Sequence, residues 1–120
     1  MQYLLLIYHN EATTPDPDSP EMAAGRKAYA DFTTEIRESA HFKGGNALLP
    51  STHATSVRVR DGKTLLTDGP FAETAEQLAG YYLIEAANLD DAIAIGARIP
   101  GAKWGSIEVR PVRAMATLVA

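Results

Sequence analysis

The residues with the clearest chemical potential lie in the segment TDGPFAET, residues 67–74. Asp68 would ordinarily close an Asx turn by accepting the N–H two residues ahead, but Pro70 has none. Its carboxylate must therefore bond to Phe71 or Ala72, or point outward to a ligand. The glycine and proline fix the backbone, and Phe71 is expected to anchor the loop in the core. Asp68 is then either a preorganised acid/base or orienting group, or merely a cap for the turn that follows.

Histidine supplies the candidate partners for this carboxylate. His9 directly follows the apolar run YLLLIY, so it is expected at the mouth of a cavity on the sheet, as a general acid or base near neutral pH. The alternative is a solvent-facing loop residue. His53, in PSTHATS, is a second ligand-binding candidate. With His41, these histidines show no H-x-x-x-H or similar spacing, so the sequence predicts neither a metal site nor a cofactor.

An arginine and a tyrosine complete the set of ligand-binding candidates. Arg58 and Arg60 alternate along one side of a predicted strand and could clamp an anionic ligand, although such a pattern is also typical of a solvated strand face. Tyr81 and Tyr82 are adjacent on a central strand. One of them is expected in the core or in a dimer interface, and Tyr82 is the candidate for lining a pocket.

Strands that would position these residues are marked by apolar runs. YLLLIY and GYYLIEA are apolar at consecutive positions, as in strands covered on both faces. In TSVRVRDGKTLLT, alternating residues flank Asp61 and Gly62, which predicts a β-hairpin with a type I′ turn. ALL before Pro50 and SIEVR near the C-terminus are predicted as short strands.

Helix signals separate these strands. Ser19 is the expected N-cap of a first helix that runs to about Ala40 and is ended by the glycines of KGGN. Asn88 caps a second helix, and Thr74 with Gln77 resembles a capping box. The expected inner face of the second helix consists of Leu89, Ala92, Ile93, Gly96 and Ile99.

The order β-α-β, hairpin, β-α-β predicts one α+β domain over residues 1–120, a ferredoxin-like βαββαβ core with an inserted β-hairpin. Two helices can cover only one face of such a sheet, and the central strands are apolar on both. We therefore expect a homodimer that covers the second face. The apolar tail VRAMATLVA is expected to seal the rim of that contact or to reach across it.

Composition limits the partners. Fifteen acidic residues against 11 basic ones give a formal net charge of −4, which argues against nucleic acid. There is no cysteine, so disulfides and thiolate chemistry are excluded. The N-terminal apolar run is too short to span a bilayer and has no basic flank, so no membrane association is expected and the default location is cytoplasmic.

Three stretches carry a family resemblance: YLLLIY, VRVRDGKTLLTDGPFAETAEQLAGYYLIE and GSIEVRPV. Together they resemble the YCII-related proteins of the DGPF subgroup over most of the chain. Ala75 stands where that pattern commonly has lysine, and Ala79 where it commonly has glycine. The resemblance implies a dimeric α/β-barrel, a His–Asp pair proposed as catalytic in the wider family, and an indirect link to extracytoplasmic-function sigma factors.

Two functional interpretations follow. In the first, a homodimer binds a small molecule near the DGPF segment, with acid/base chemistry by Asp68 and a histidine. In the second, the protein is a non-catalytic interaction module in a sigma-factor pathway, and its surface is what matters. The sequence leaves enzymatic activity undecided.

Overall fold

The protein, described as a computed structural model over residues 1–16 and 18–114, contains two α-helices and six β-strands among those residues. The end of the tail that was expected to seal a dimer rim, residues 115–120, lies outside the described residues. In chain order the elements are β1 (Gln2–His9), α1 (Pro20–Glu38), β2 (Phe42–Ala47), β3 (Thr55–Arg60), β4 (Lys63–Asp68), β5 (Gln77–Glu85), α2 (Leu89–Ala97) and β6 (Ser106–Pro111).

Four of the strands form one antiparallel sheet in the order β2-β5-β1-β6. The strands that carry YLLLIY and GYYLIEA are β1 and β5, and they occupy its centre as their apolar pattern indicates. With both helices on one side, this α+β arrangement is consistent with a ferredoxin-like fold.

The core lies between this sheet and the helices. Alternate residues of each central strand point into it because successive side chains of a strand face opposite sides. Leu5, Ile36 and Ile84 are completely buried. The other fully or largely buried core members are Tyr3, Ile7, Phe32, Tyr82, Ala86, Ala92, Ile95 and Ile99.

The helix α1 begins as predicted and ends differently. Its N-cap Ser19 accepts a hydrogen bond at Oγ from the Met22 N–H at 3.2 Å. The helix stops at Glu38, and Ala40 takes the left-handed conformation with φ 65° that usually falls to glycine.

The glycines of KGGN do not end the helix; they lie in β2, and of the predicted strand ALL only Ala47 belongs to a strand, as the last residue of β2. A close approach between strands explains the placement of Gly45. A Cβ atom on this residue would lie 2.8 Å from the carbonyl oxygen of Tyr81 in β5. Glycine permits this backbone approach, and that tertiary requirement is invisible in a local pattern.

The helix α2 is capped by Asn88, whose Oδ1 accepts from the Asp91 N–H at 2.9 Å. Its buried face differs in part from the predicted one. Ile95 is buried, whereas Leu89 and Ile93 are exposed. The helix is therefore rotated so that its small residues and Ile95 meet the sheet.

The strands β3 and β4 form a separate two-stranded antiparallel sheet, which we call the arm (residues 55–68). Asp61 and Gly62 join the strands with φ values of 52° and 74°, as a type I′ turn requires. The arm makes at most marginal contact with the other helices and strands of the described chain.

The second face of the four-stranded sheet carries no helix. We call it the open face. Its centre is apolar and its rim is polar, with Glu108 and Arg110 joined as an ion pair on β6 and Asn46 donating to the Tyr81 hydroxyl on the opposite side. From the strand registers, its central residues are Leu4, Leu6, Tyr8, Leu78, Tyr81 and Leu83.

Candidate functional site

The loop that joins β4 to β5, residues 69–76, is fixed at its base. Gly69 has a φ of 92°, a conformation that strongly favours glycine. Its N–H donates to the Ala54 carbonyl at 2.7 Å, and its own carbonyl accepts from Ser56 Oγ at 2.9 Å. These two bonds and Pro70 set the direction in which the chain leaves the arm.

The Asp68 carboxylate takes no part in this framework. It is exposed, and among the described residues it makes no hydrogen bond or ion pair. It accepts nothing from Phe71 or Ala72, so no turn-capping bond is formed. Of the alternatives drawn from the sequence, this geometry matches a carboxylate that points outward.

Phe71 does not anchor the loop; that prediction was wrong. Its side chain is 79% exposed. The physical reason is the extent of the core, because no residue between Phe42 and Tyr82 belongs to it or packs against it. An aromatic ring at position 71 therefore has no hydrophobic layer of its own chain to enter.

An open cleft of about 310 Å³ lies beside this loop. We call it the loop cleft. Gln77, the first residue of β5, organises it by donating from Nε2 to the Thr74 carbonyl at 2.7 Å and accepting at Oε1 from the Glu11 N–H at 2.9 Å. The predicted capping box is therefore wrong, because Gln77 opens a strand. The cleft is lined by Ser51, Pro70, Ala72, Glu73, Thr74 and Gln77.

The carboxylates around the loop cleft differ in their bonding. Glu11 accepts from the Ser51 N–H at 3.0 Å and from Ser51 Oγ at 3.1 Å. Glu76 accepts from Ser106 Oγ at 2.6 Å. By contrast, neither Glu73 nor Asp68 bonds to any described residue. Two carboxylates are thus structural and two are unengaged; of these two, Glu73 lines the loop cleft and Asp68 does not.

The structure places the two candidate histidines near the loop cleft without joining either to Asp68. His9 ends β1 opposite Gln77 and is half-buried. His53 is exposed on the short 3-10 helix Ser51–His53, one residue before the Ala54 carbonyl that holds Gly69. Neither imidazole forms an ion pair with the carboxylate in the described chain.

Arg58 and Tyr82 lie away from the loop cleft. Arg58 is exposed on the arm, on the same face as Leu65. Tyr82 is 8% exposed in the core. Its hydroxyl lies 2.7 Å from Thr33 Oγ1, and its ring meets Phe32 edge-on at 5.3 Å. The residue of the tyrosine pair that faces away from the core is Tyr81.

Sequence reasoning missed several of the residues that line or support the loop cleft. Ser51 and Glu11 carry no local signal, because their contact joins positions 40 apart. Glu73 and Gln77 did carry one, which was assigned to a helix cap. The apolar stretch LAGYYLIE that follows them is strand-like, and this could have favoured a loop entering a strand.

Three further observations limit the functions that the described residues can support. A second cleft of about 300 Å³ between α2 and β6 is lined by Ile93, Gly96, Ala97, Ala102, Ile107 and Val109, which include no titratable group. Within residues 1–16 and 18–114, no three His, Asp or Glu side chains gather as metal ligands would. No helix in that part of the chain has the length and apolar character needed to cross a membrane.

The fold and the site define an α+β protein with a ferredoxin-like sheet, a separate arm and a polar loop cleft. The chain belongs to the YCII-related domain family, whose sequence model matches residues 1–116. It is also similar to an uncharacterised protein of Rhizobium meliloti (strain 1021), with 35% identity over 114 residues that cover 93% of this chain and 92% of the relative.

Proposed function

We propose that this YCII-related protein is a cytoplasmic homodimer of the DGPF type, a dimeric α/β-barrel that binds a small polar molecule at the loop cleft. Asp68 is the acid/base or orienting group, and His9 is its partner. The observation that carries this proposal is the pair of unengaged carboxylates, Asp68 just before a loop with a fixed base and Glu73 in the middle of that loop, where it lines the cleft.

The chemistry of these groups indicates the kind of ligand. An ionised carboxylate only accepts hydrogen bonds, and the nearby Gln77 amide is already committed to Thr74 and Glu11. A fitting ligand therefore offers N–H or O–H donors, as an amine or a polyol does. The cleft volume of about 310 Å³ lies at the lower end of the range for small-molecule sites.

The open face supports the homodimer. It combines an apolar centre that includes Leu6 and Leu83 with a polar rim. This is the composition of a protein interface, in which a dehydrated centre is surrounded by charged and polar groups. Two copies packed face to face would cover this surface and complete a barrel.

Thermal unfolding in the presence of small amines and polyols tests the site. A compound at about 100 times its Kd stabilises the folded state by about 2.7 kcal/mol, which raises the Tm of a chain of this size by roughly 10 °C. We expect Asp68→Asn to abolish this rise while leaving the Tm without ligand nearly unchanged, because the carboxylate makes no bond within the described chain.

Asp61→Asn is the matched control. It removes one carboxylate of the same type at the tip of the arm, and asparagine tolerates the positive φ of that position. The control should keep the full rise in Tm. An equal rise in wild type and Asp68→Asn would show that the compound binds without Asp68, and a screen with no stabilising compound would contradict the proposal as a whole.

The exposed ring of Phe71 favours the second candidate function, an interaction module linked to an extracytoplasmic-function sigma factor. An aromatic side chain that is 79% exposed on a fixed loop is a typical anchor for a partner protein. In this case the protein would co-purify with a co-expressed sigma factor, Phe71→Ala would abolish the association, and Asp68→Asn would leave it intact. The opposite pattern would favour the small-molecule site.

A further inference from the structure

The arm has one apolar face and one cationic face. In an antiparallel pair, directly opposed residues lie on the same side, and the register pairs Val57 with Leu66 and Arg58 with Leu65. Val57, Val59 and Leu66 therefore share a face, and they are 61%, 60% and 68% exposed. The opposite face carries Arg58, Arg60 and Lys63.

Nothing in the described chain covers the apolar face of the arm, because the arm makes at most marginal contact with other elements. A two-stranded hairpin alone in water is marginally stable at best. Its regular pairing from Thr55–Asp68 to Arg60–Lys63 therefore requires a stabilising surface from outside the described residues.

The area available points to a second copy as that surface. Strand spacing and rise give the open face of four strands a flat area of about 400 Å², and the arm about 200 Å². A stable dimer buries roughly 800 Å² of accessible surface per partner. The open face alone supplies about half of this area. The arm adds an area about half as large as that of the open face.

We propose that the apolar face of the arm packs against the second copy in the homodimer, and that the ligand site is shared between the two chains. This rests on the homodimer of the proposed function and adds the arm to its interface. The register places Asp68 opposite Thr55 on the same face as Leu66. The surface that covers Leu66 therefore also forms a wall beside the Asp68 carboxylate.

Cysteine labelling tests this directly, because the chain contains no cysteine of its own. Val59→Cys lies on the apolar face, and Arg58→Cys is its control on the cationic face. Asp68→Cys and Thr67→Cys form a second such pair at the base of the arm. In the folded dimer we expect Val59→Cys and Asp68→Cys to react with a maleimide at least tenfold more slowly than their neighbours, and all four to react alike in denaturant.

Sedimentation of the same variants separates the possible failures. A dimer in which Val59→Cys and Arg58→Cys react equally fast would overturn the role of the arm and leave the homodimer standing. A dimer with a protected Val59→Cys but equal rates at positions 67 and 68 would overturn the shared site alone. A chain that sediments as a monomer would contradict the homodimer itself.

Discussion

Tyr81 and Tyr82 are adjacent in sequence and have opposite environments. Tyr82 packs against Phe32 in the core, and its hydroxyl is bonded to Thr33. Tyr81 lies on the open face, where its hydroxyl accepts from Asn46 at 2.9 Å. Strand alternation requires this division, but only the position of the helices decides which tyrosine is buried.

Tyr82→Phe tests whether that hydroxyl is structural. Loss of its hydrogen bond to Thr33 should lower the free energy of unfolding by about 1 kcal/mol, a few degrees in Tm. Tyr81→Phe, on the open face, should change it by less than about 0.5 kcal/mol. Denaturant unfolding of both variants measures the difference. A larger effect at Tyr81 would mean that the two environments are assigned the wrong way round.

At the residue scale, local backbone chemistry predicted more of the site than burial did. The missing N–H of Pro70 was enough to foresee that Asp68 would lack its usual turn bond. The burial of Phe71 was predicted from its apolar character and was wrong, because the core has no member between Phe42 and Tyr82. Placing Ser51 against Glu11 needed the tertiary structure.

The end of α1 shows how an element can finish without its preferred residue. Ala40 occupies the left-handed region with φ 65°, where a Cβ atom is unfavourable by roughly 1 kcal/mol or more. Glycine is the usual residue there. The chain tolerates this cost at the junction between α1 and β2.

Replacing Ala40 with glycine should therefore stabilise the protein. We expect Ala40→Gly to raise the free energy of unfolding by about 0.5–1 kcal/mol, because the relief of the left-handed conformation outweighs the added chain entropy. Ala30→Gly, at an exposed position inside α1, should instead lower it by about 1 kcal/mol. Thermal unfolding of both variants measures whether the two changes in stability have opposite signs. A loss of stability in Ala40→Gly would contradict the claim that Ala40 is strained.

The secondary-structure elements with a strong local sequence pattern were predicted. Those that depend on tertiary contacts were not. Two apolar runs identified β1 and β5, and Asp61 with Gly62 identified the turn of the arm. The strand β2 contains FKGGNA, which has poor strand propensity. It exists because Gly45 admits the backbone of β5, and no local signal shows this.

The whole molecule is extended for its length. Its radius of gyration is 16.5 Å, against about 14 Å for a compact domain of this length. Its accessible surface is 8429 Å², whereas a compact chain of 12.9 kDa would expose about 6,300 Å². The excess exceeds what one subunit of an ordinary dimer buries.

A charge on the open face should separate the proposed dimer. Leu6→Glu would place an unpaired carboxylate at the centre of the interface, at a cost of about 3 kcal/mol or more, which weakens the Kd at least roughly a hundredfold. Sedimentation should then show the monomer mass of 12.9 kDa. Ala94→Glu, on the exposed side of α2, should leave the assembly unchanged, and an unchanged mass for Leu6→Glu would contradict an interface on this face.

The separate arm also has a consequence for how the chain matures. An isolated hairpin and a sheet with an uncovered face gain their full stability only when another molecule arrives. In the proposed homodimer the last step of folding is a collision between two chains, so its rate depends on how much protein has been made. Newly synthesised copies at low abundance would wait longest with Phe71 and the valines of the arm in water, and would meet proteases and chaperones during that interval.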